Sequence, residues 1–208
     1  MNYIYLPWDS AIDLIKEGDV LLFRTKSLIS FFIQRFTQSP YSHVGLASWH
    51  NGGGILEILE FHLQTGGVAR NLETISKNNP KIIDIYRPIS SRFEQSYDLD
   101  QYKIVTKEIA YNGKTVTNSM RKLTALPYSL AKIGLCLRGY AAILRFFTNF
   151  KKSTDDTPKP STTHICSSAV AYCMNINEYD LVKNTTDIRT TPGSLSRSPL
   201  LNYLFTIE

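Results

Sequence analysis

The chain has 208 residues, with 23 Lys and Arg against 18 Asp and Glu and a formal net charge of +5. Hydrophobic residues at 43% and charged residues at 20% exclude a wholly disordered chain, and a chain of this length buries roughly 70% of its extended surface without help from disulfides or a structural metal. Three cysteines with no Cys-x-x-Cys pair exclude a disulfide scaffold and a zinc ribbon, while the small positive excess suits an anionic surface and gives no reason to expect specific nucleic-acid binding.

Met1–Asn2–Tyr3–Ile4–Tyr5–Leu6–Pro7 lacks a basic segment followed by a long apolar run. No signal peptide is expected, so synthesis is expected in a cytosol, with any delivery outside it by lysis, phage or a non-classical route. Gly18–Asp19 is a turn signal ahead of Val20–Leu21–Leu22–Phe23, which reads as a buried strand. Ser27 to Phe36 has apolar residues at helical spacing, with Ser27 as N-cap, and Ser39–Pro40 ends it. Ser42 to Trp49 and Ile55 to Phe61 read as strands flanking Asn51–Gly52–Gly53–Gly54, and Asn-Gly between apolar runs predicts a hairpin. Lys81 to Tyr86 is a further strand, stopped by Pro88.

Asp98 to Lys122 reads as a polar helix. Leu123 to Phe150 reads as amphipathic, basic and helical, broken at Pro127; its Lys132, Arg138 and Arg145 argue against a membrane span. Lys151 to Thr163 is a loop, Ile165 to Met174 a short apolar helix, Thr190 to Pro199 a loop and Leu200 to Ile207 a terminal strand. The order predicts an α+β fold in place of strict βαβ alternation.

Three residues carry candidate chemistry. With a two-residue loop at Asn51–Gly52, His50 pairs with Gly53, Gly45 with Ile58 and His43 with Glu60. Glu60 then accepts a hydrogen bond from the His43 imidazole and fixes its tautomer. A three-residue loop brings Glu57 onto that face instead. Cys166 lies in the first turn of the helix Ile165–Met174, with Thr162 and Thr163 as candidate caps. There the helix dipole favours a thiolate, and the first-turn N–H groups can serve an oxyanion.

Each feature has a plainer reading: Cys166 as a small core residue, His43 as a structural histidine and Glu60 as a solvated strand residue. Cys173 and Cys136 read as core. A metal held by His43, His164 and Cys166 lacks tight ligand spacing, so no metal and no cofactor are expected. Asn184–Thr185–Thr186 is an acceptor sequon that matters only on secretion.

The strings Gly18–Asp19–Val20–Leu21–Leu22–Phe23 and Ser39–Pro40–Tyr41–Ser42–His43–Val44–Gly45–Leu46–Ala47, with Leu59–Glu60 and Cys166–Ser167–Ser168–Ala169–Val170, resemble the permuted papain-like amidases of the NlpC superfamily. These are the YiiX-like proteins, distant relatives of lecithin:retinol acyltransferase. The tail Thr191–Pro192–Gly193–Ser194–Leu195 is similar to the family's closing segment. His43 precedes Cys166, the order that circular permutation requires. His164 departs from the pattern, standing where the family carries an aromatic or apolar residue.

The resemblance implies one permuted papain-like domain over 1–208. Its antiparallel sheet or half-barrel packs against helices, and a helical, amphipathic, basic insertion occupies about 92–161. It also implies a cysteine hydrolase acting on an amide or ester carbonyl, with Cys166 as nucleophile, His43 as base and Glu60 as orienter. The expected substrate is a peptide, such as a cell-wall peptide, or a lipid acyl group. The alternatives are a lipid-directed acyltransferase or thioesterase at an anionic membrane surface, and a non-catalytic structural or interaction module.

Overall fold

A computed structural model describes residues 3–50, 53–62, 65–78, 82–98, 100–126, 164–183 and 185–207. Its centre is the run Val20 to Arg24, strand β2, whose apolar residues are buried on both faces. A continuous apolar run is what a strand with both faces covered requires. Around it, in chain order, stand β1 (Tyr5–Leu6), α1 (Trp8–Ala11), α2 (Leu28–Thr37), β3 (His43–His50), β4 (Ile55–His62), β5 (Gly66–Asn71), α3 (Leu72–Asn78) and β6 (Ile82–Pro88). There follow β7 (Ser91–Asp98), β8 (Lys103–Ala110), α4 (Gly113–Lys122), α5 (Cys166–Asn175), α6 (Pro192–Ser196) and β9 (Leu201–Ile207).

Seven of these strands form one sheet in the order β1-β9-β6-β2-β3-β4-β5. Only β1 with β9 is parallel; the remaining pairs are antiparallel. Strand alternation sorts the core into two layers. Val20, Leu22, Val44, Leu46, Leu59 and Phe61 pack against α4 and α5, including Val116, Met120, Ala169 and Val170. Leu21, Phe23, Ala47, Ile58, Ile83 and Ile85 pack on the other side against Trp8, Ala11, Ile15 and Leu72. The expected α+β class, with a mostly antiparallel sheet packed against helices, is what the chain adopts.

Several expected elements differ. Asp98 to Ala110 is not helical: β7 and β8 form a separate two-stranded ribbon, so the span read as a helical insertion at 92–161 begins with a hairpin. The β-branched Ile104, Val105, Thr106 and Ile109 favour the strand. The turn is built by Asp98 Oδ1, which accepts from the N–H groups of Asp100 at 2.9 Å and Gln101 at 3.0 Å. The helix starts only where Asn112 Oδ1 caps Thr115 N–H. Within the expected loop Thr190–Pro199 lies α6, whose Thr191 and Ser194 cap each other reciprocally. The expected insertion from residue 127 onward, the loop 151–163, the caps Thr162 and Thr163, Cys136 and Asn184 lie outside the described residues. Among the described residues, no helix is long and apolar enough to cross a membrane.

One close approach ties α4 to the sheet. Gly18 has φ +83°, and Tyr111 Oη donates to its carbonyl at 2.7 Å. A Cβ on Gly113 would sit 2.0 Å from the Glu17 carbonyl oxygen. Helix propensity alone favours Ala over Gly at an α4 position by about 1 kcal/mol, but the steric clash outweighs it. Gly113→Ala should therefore lower the unfolding free energy by about 2 kcal/mol in urea titration. Gly54→Ala, where a Cβ meets nothing within 4 Å, should change it by less than about 0.5 kcal/mol.

Candidate active site

β3 and β4 pair with Gly45 opposite Glu60 and His50 opposite Ile55, so the turn holds four residues in place of the expected two. The glycine-rich sequence permits this: Gly53 has φ +119° and donates its N–H to the His50 carbonyl at 3.2 Å. The register is displaced by two positions, an even number, so His43 and Glu60 keep the same face. They become diagonal neighbours, and Gly45 presents no side chain between them. Their side chains meet: His43 Nε2 bonds Glu60 Oε2. Glu57 points to the opposite face, where Arg121 donates to it at 2.7 Å and His50 Nδ1 lies 3.6 Å away.

Cys166 is the first residue of α5. The helix entry is fixed by the main chain of Ile165, whose N–H donates to Ser168 Oγ at 3.0 Å. Ser167 Oγ donates to the Thr190 carbonyl at 2.6 Å, tying the same turn to the segment before α6. The first-turn N–H groups of α5 have no intrahelical acceptor. Cys166 is the strongest favourable electrostatic neighbour of the His43 imidazole, which places the two side chains close together. With Nε2 engaged by Glu60, Nδ1 is the imidazole nitrogen left for the thiol. Cys166, His43 and Glu60 are thus brought together from α5, β3 and β4. Cys173 is not part of this group: it is fully buried beside Met120 Sδ at 3.8 Å, and burial, then Asp187, pushes its thiol well above the usual range. His164 is buried against the rings of Phe61, at 5.5 Å, and Tyr172, at 5.4 Å.

The strand entering His43 is held firmly. Ser42 N–H donates to the Phe23 carbonyl at 3.0 Å, and Ser42 Oγ bonds Thr25 Oγ1 at 2.6 Å. Two residues before His43, Tyr41 Oη donates to Asp84 Oδ2 at 2.5 Å. Asp84 is fully buried and also accepts from Arg24 Nε at 2.9 Å and Thr206 Oγ1 at 2.6 Å. The His43 ring itself stands 5.3 Å from that of Phe23, its cross-strand partner.

One member of the site was not foreseen from the sequence. Arg70 on β5 lies diagonally from Glu60, one strand further out, and its Nε donates to Glu60 Oε1 at 2.6 Å. Extending the alternation count across the next hairpin, from Glu60 opposite Val68, places Arg70 on the same face as Glu60. Both Glu60 oxygens are therefore engaged, each by a group that is cationic when protonated.

The charge states follow. Burial opposes a charged His43, but Cys166 and then Glu60 outweigh it, and its pKa is pushed up to about 10 from an ordinary 6.5. Burial likewise opposes the Glu60 carboxylate, but His43 and then Arg70 outweigh it and hold it at about 2, below an ordinary 4.5. By linkage, the stabilisation from the His43 proton is complete below pH 6.5 and is lost as pH rises through about 10. That from the Glu60 carboxylate is complete above pH 4.5 and is lost as pH falls through about 2. The pair is charged throughout the neutral range.

The architecture is of the YiiX type. The crystal structure of metalloprotein YiiX from Escherichia coli O157:H7 superposes with a TM-score of 0.57 and 13% identity, covering 91% of this chain and 96% of that one. At that identity the likeness speaks for the fold. No protein-family description matches the chain, and no curated protein matches it.

NMR titration of His43 should find it protonated until about pH 10. Glu60→Gln removes a carboxylate that stabilises the imidazolium, so its midpoint should fall toward 6.5. An unchanged midpoint would refute the role assigned to Glu60.

Proposed function

We propose that the chain is a cysteine-nucleophile hydrolase of the amidase or peptidase type, acting on an amide or ester carbonyl through Cys166, His43 and Glu60. The observation that carries this reading is the His43 imidazole bonded to the buried Glu60 carboxylate, with Cys166, at the start of α5, its strongest favourable electrostatic neighbour. Nucleophile, base and orienter in that sequence is the arrangement that activates a thiol for acyl transfer. The chain order His43, Glu60, Cys166 and the YiiX-type architecture support a circularly permuted papain-like hydrolase.

The chemistry proceeds in two displacements. Cys166 Sγ attacks the carbonyl carbon, and an S–C bond forms. The developing oxyanion lies at the N-terminus of α5, where first-turn N–H groups can donate to it. His43 gives its proton to the leaving amine or alkoxide as the C–N or C–O bond breaks. A water then attacks the thioester, passing a proton to neutral His43. The thiolate leaves, and Cys166 and His43 return to their starting states. Glu60 holds the ring and stabilises its cationic form, while Arg70 keeps Glu60 ionised.

YiiX is described as a metalloprotein. In this chain both oxygens of Glu60 are already engaged by His43 and Arg70. Among the described residues, no three His, Cys, Asp or Glu side chains are grouped to hold a metal ion. The donor set does not fit a metal, and no step here runs through one.

A thiol-reactive alkylating probe, applied to the folded chain with a panel of amide, ester and thioester substrates, tests the reading. In a chain carrying Cys136→Ala, a further Cys166→Ala should abolish labelling and lower turnover by at least about a thousandfold. Cys173→Ala should preserve both, because that thiol is fully buried and burial holds it protonated. Unchanged labelling and turnover in Cys166→Ala would exclude this nucleophile.

A further inference from the structure

Helix α2 leaves part of its apolar surface facing outward. An amphipathic surface helix normally turns its apolar stripe to the core and its polar residues to water. Here the buried positions among those described are Ser30 and Thr37, seven residues apart, with Ile33 and Phe36 half-buried. Gln34 also turns back to the fold, donating to the Thr25 carbonyl at 3.2 Å and the Pro40 carbonyl at 2.7 Å. The outward positions are Leu28, Phe31 and Phe32, with relative exposures of 75%, 59% and 47%. Their spacing places them on one face, and the Phe31 and Phe32 rings stand 5.8 Å apart.

Among the described residues, the charged side chains on α2 and flanking it in the sequence are cationic. Lys26 and Arg35 are exposed at the two ends of α2, and Arg197 is exposed just beyond α6, which packs against α2. From Val20 to Leu56 the sequence contains no Asp or Glu. An apolar face with a cationic rim complements an anionic lipid surface, where aromatic side chains enter the acyl boundary and Lys and Arg meet the headgroups.

Topology puts this face beside the candidate site. α2 connects the end of β2 to the start of β3, so it leaves the sheet at the His43 end. Ser30 and Ser42 both bond Thr25 Oγ1, at 2.6 Å each, joining the first turn of the helix to the residue preceding His43.

We propose that α2 is an interfacial anchor that seats the chain on an anionic lipid surface with the His43 end of the sheet toward it. The proposal rests on the hydrolase reading only in naming the surface at which that site meets its substrate.

The test is cosedimentation of the full chain with phosphatidylcholine vesicles, with and without phosphatidylserine. Wild type should sediment with the phosphatidylserine vesicles, less so as salt rises. The triple variant Leu28→Ser, Phe31→Ser, Phe32→Ser should bind at least about a hundredfold more weakly. Lys26→Glu with Arg35→Glu should lose the preference for phosphatidylserine. All these positions are exposed, and circular dichroism with thermal unfolding should show both variants folded.

Cys166→Ala should bind vesicles like wild type, and the triple variant should keep wild-type probe labelling of Cys166 in vesicle-free buffer. Loss of that labelling in wild type with vesicle binding intact overturns the hydrolase and leaves the anchor standing. Three results overturn the anchor: wild type that stays in the supernatant, as it would if residues 127–163 covered this face; a triple variant that binds unchanged; or a wild-type dimer that the triple variant dissolves, which would make a second copy the occupant.

Discussion

A carboxylate with 1% of its surface exposed must be matched by charge, and Glu60 is that carboxylate. Left unpaired at that depth it would cost several kcal/mol, or would simply take up a proton. Three adjacent strands meet the requirement: β4 supplies Glu60, β3 supplies His43 on one side and β5 supplies Arg70 on the other. The requirement is mutual. Glu60 is kept ionised by two cations, and His43 is kept cationic by Glu60 and by the Cys166 side chain. The charge states of His43 and Glu60 are thus set by their packing on adjacent strands.

The elements around the site divide into those that fix position and those left facing outward. Asp84, Tyr41, Arg24 and Thr206 form a buried network beneath the entry to β3. Asp19 takes both arms of Arg87, at 2.8 and 2.7 Å, and pins the turn ahead of β2 to β6. Glu17 accepts from Ser48 Oγ at 2.9 Å and Trp49 N–H at 2.6 Å, and also from Thr117 Oγ1, joining that turn to β3 and α4. Every one of these contacts crosses from one element to another. Set between β2 and β3, α2 makes its inward bonds through polar side chains and leaves Leu28, Phe31 and Phe32 outside.

How far the sequence disclosed this depended on how local each signal was. The β2 strand, the Ser27 cap of α2, the hairpin strands and the α5 helix were legible because each rests on neighbouring residues. The pairing of His43 with Glu60 was legible despite a wrong turn length, since an error of two residues preserves the face. Arg70 was hidden because its meaning depends on a second hairpin, where Gly66 and Gly67 give a weak strand signal. The β7–β8 ribbon was mistaken for a helix because polar, charged strands such as Lys103–Ala110 show no clean alternation. The outward face of α2 was invisible to periodicity, which locates an apolar stripe but not the side from which the protein approaches it.

The last strand has a consequence for how the molecule comes into being. β9 does not add to the rim of the sheet; it lies between β1 and β6. During synthesis from the N-terminus, β6 keeps an open edge until the chain through Ile207 has emerged, and Cys166 itself arrives more than a hundred residues after His43. A nascent chain therefore carries His43 and Glu60 before Cys166, and Cys166 before its sheet is complete. An uncovered strand edge is prone to pair with other chains, so a chain ended before β9 would leave β6 open to such pairing.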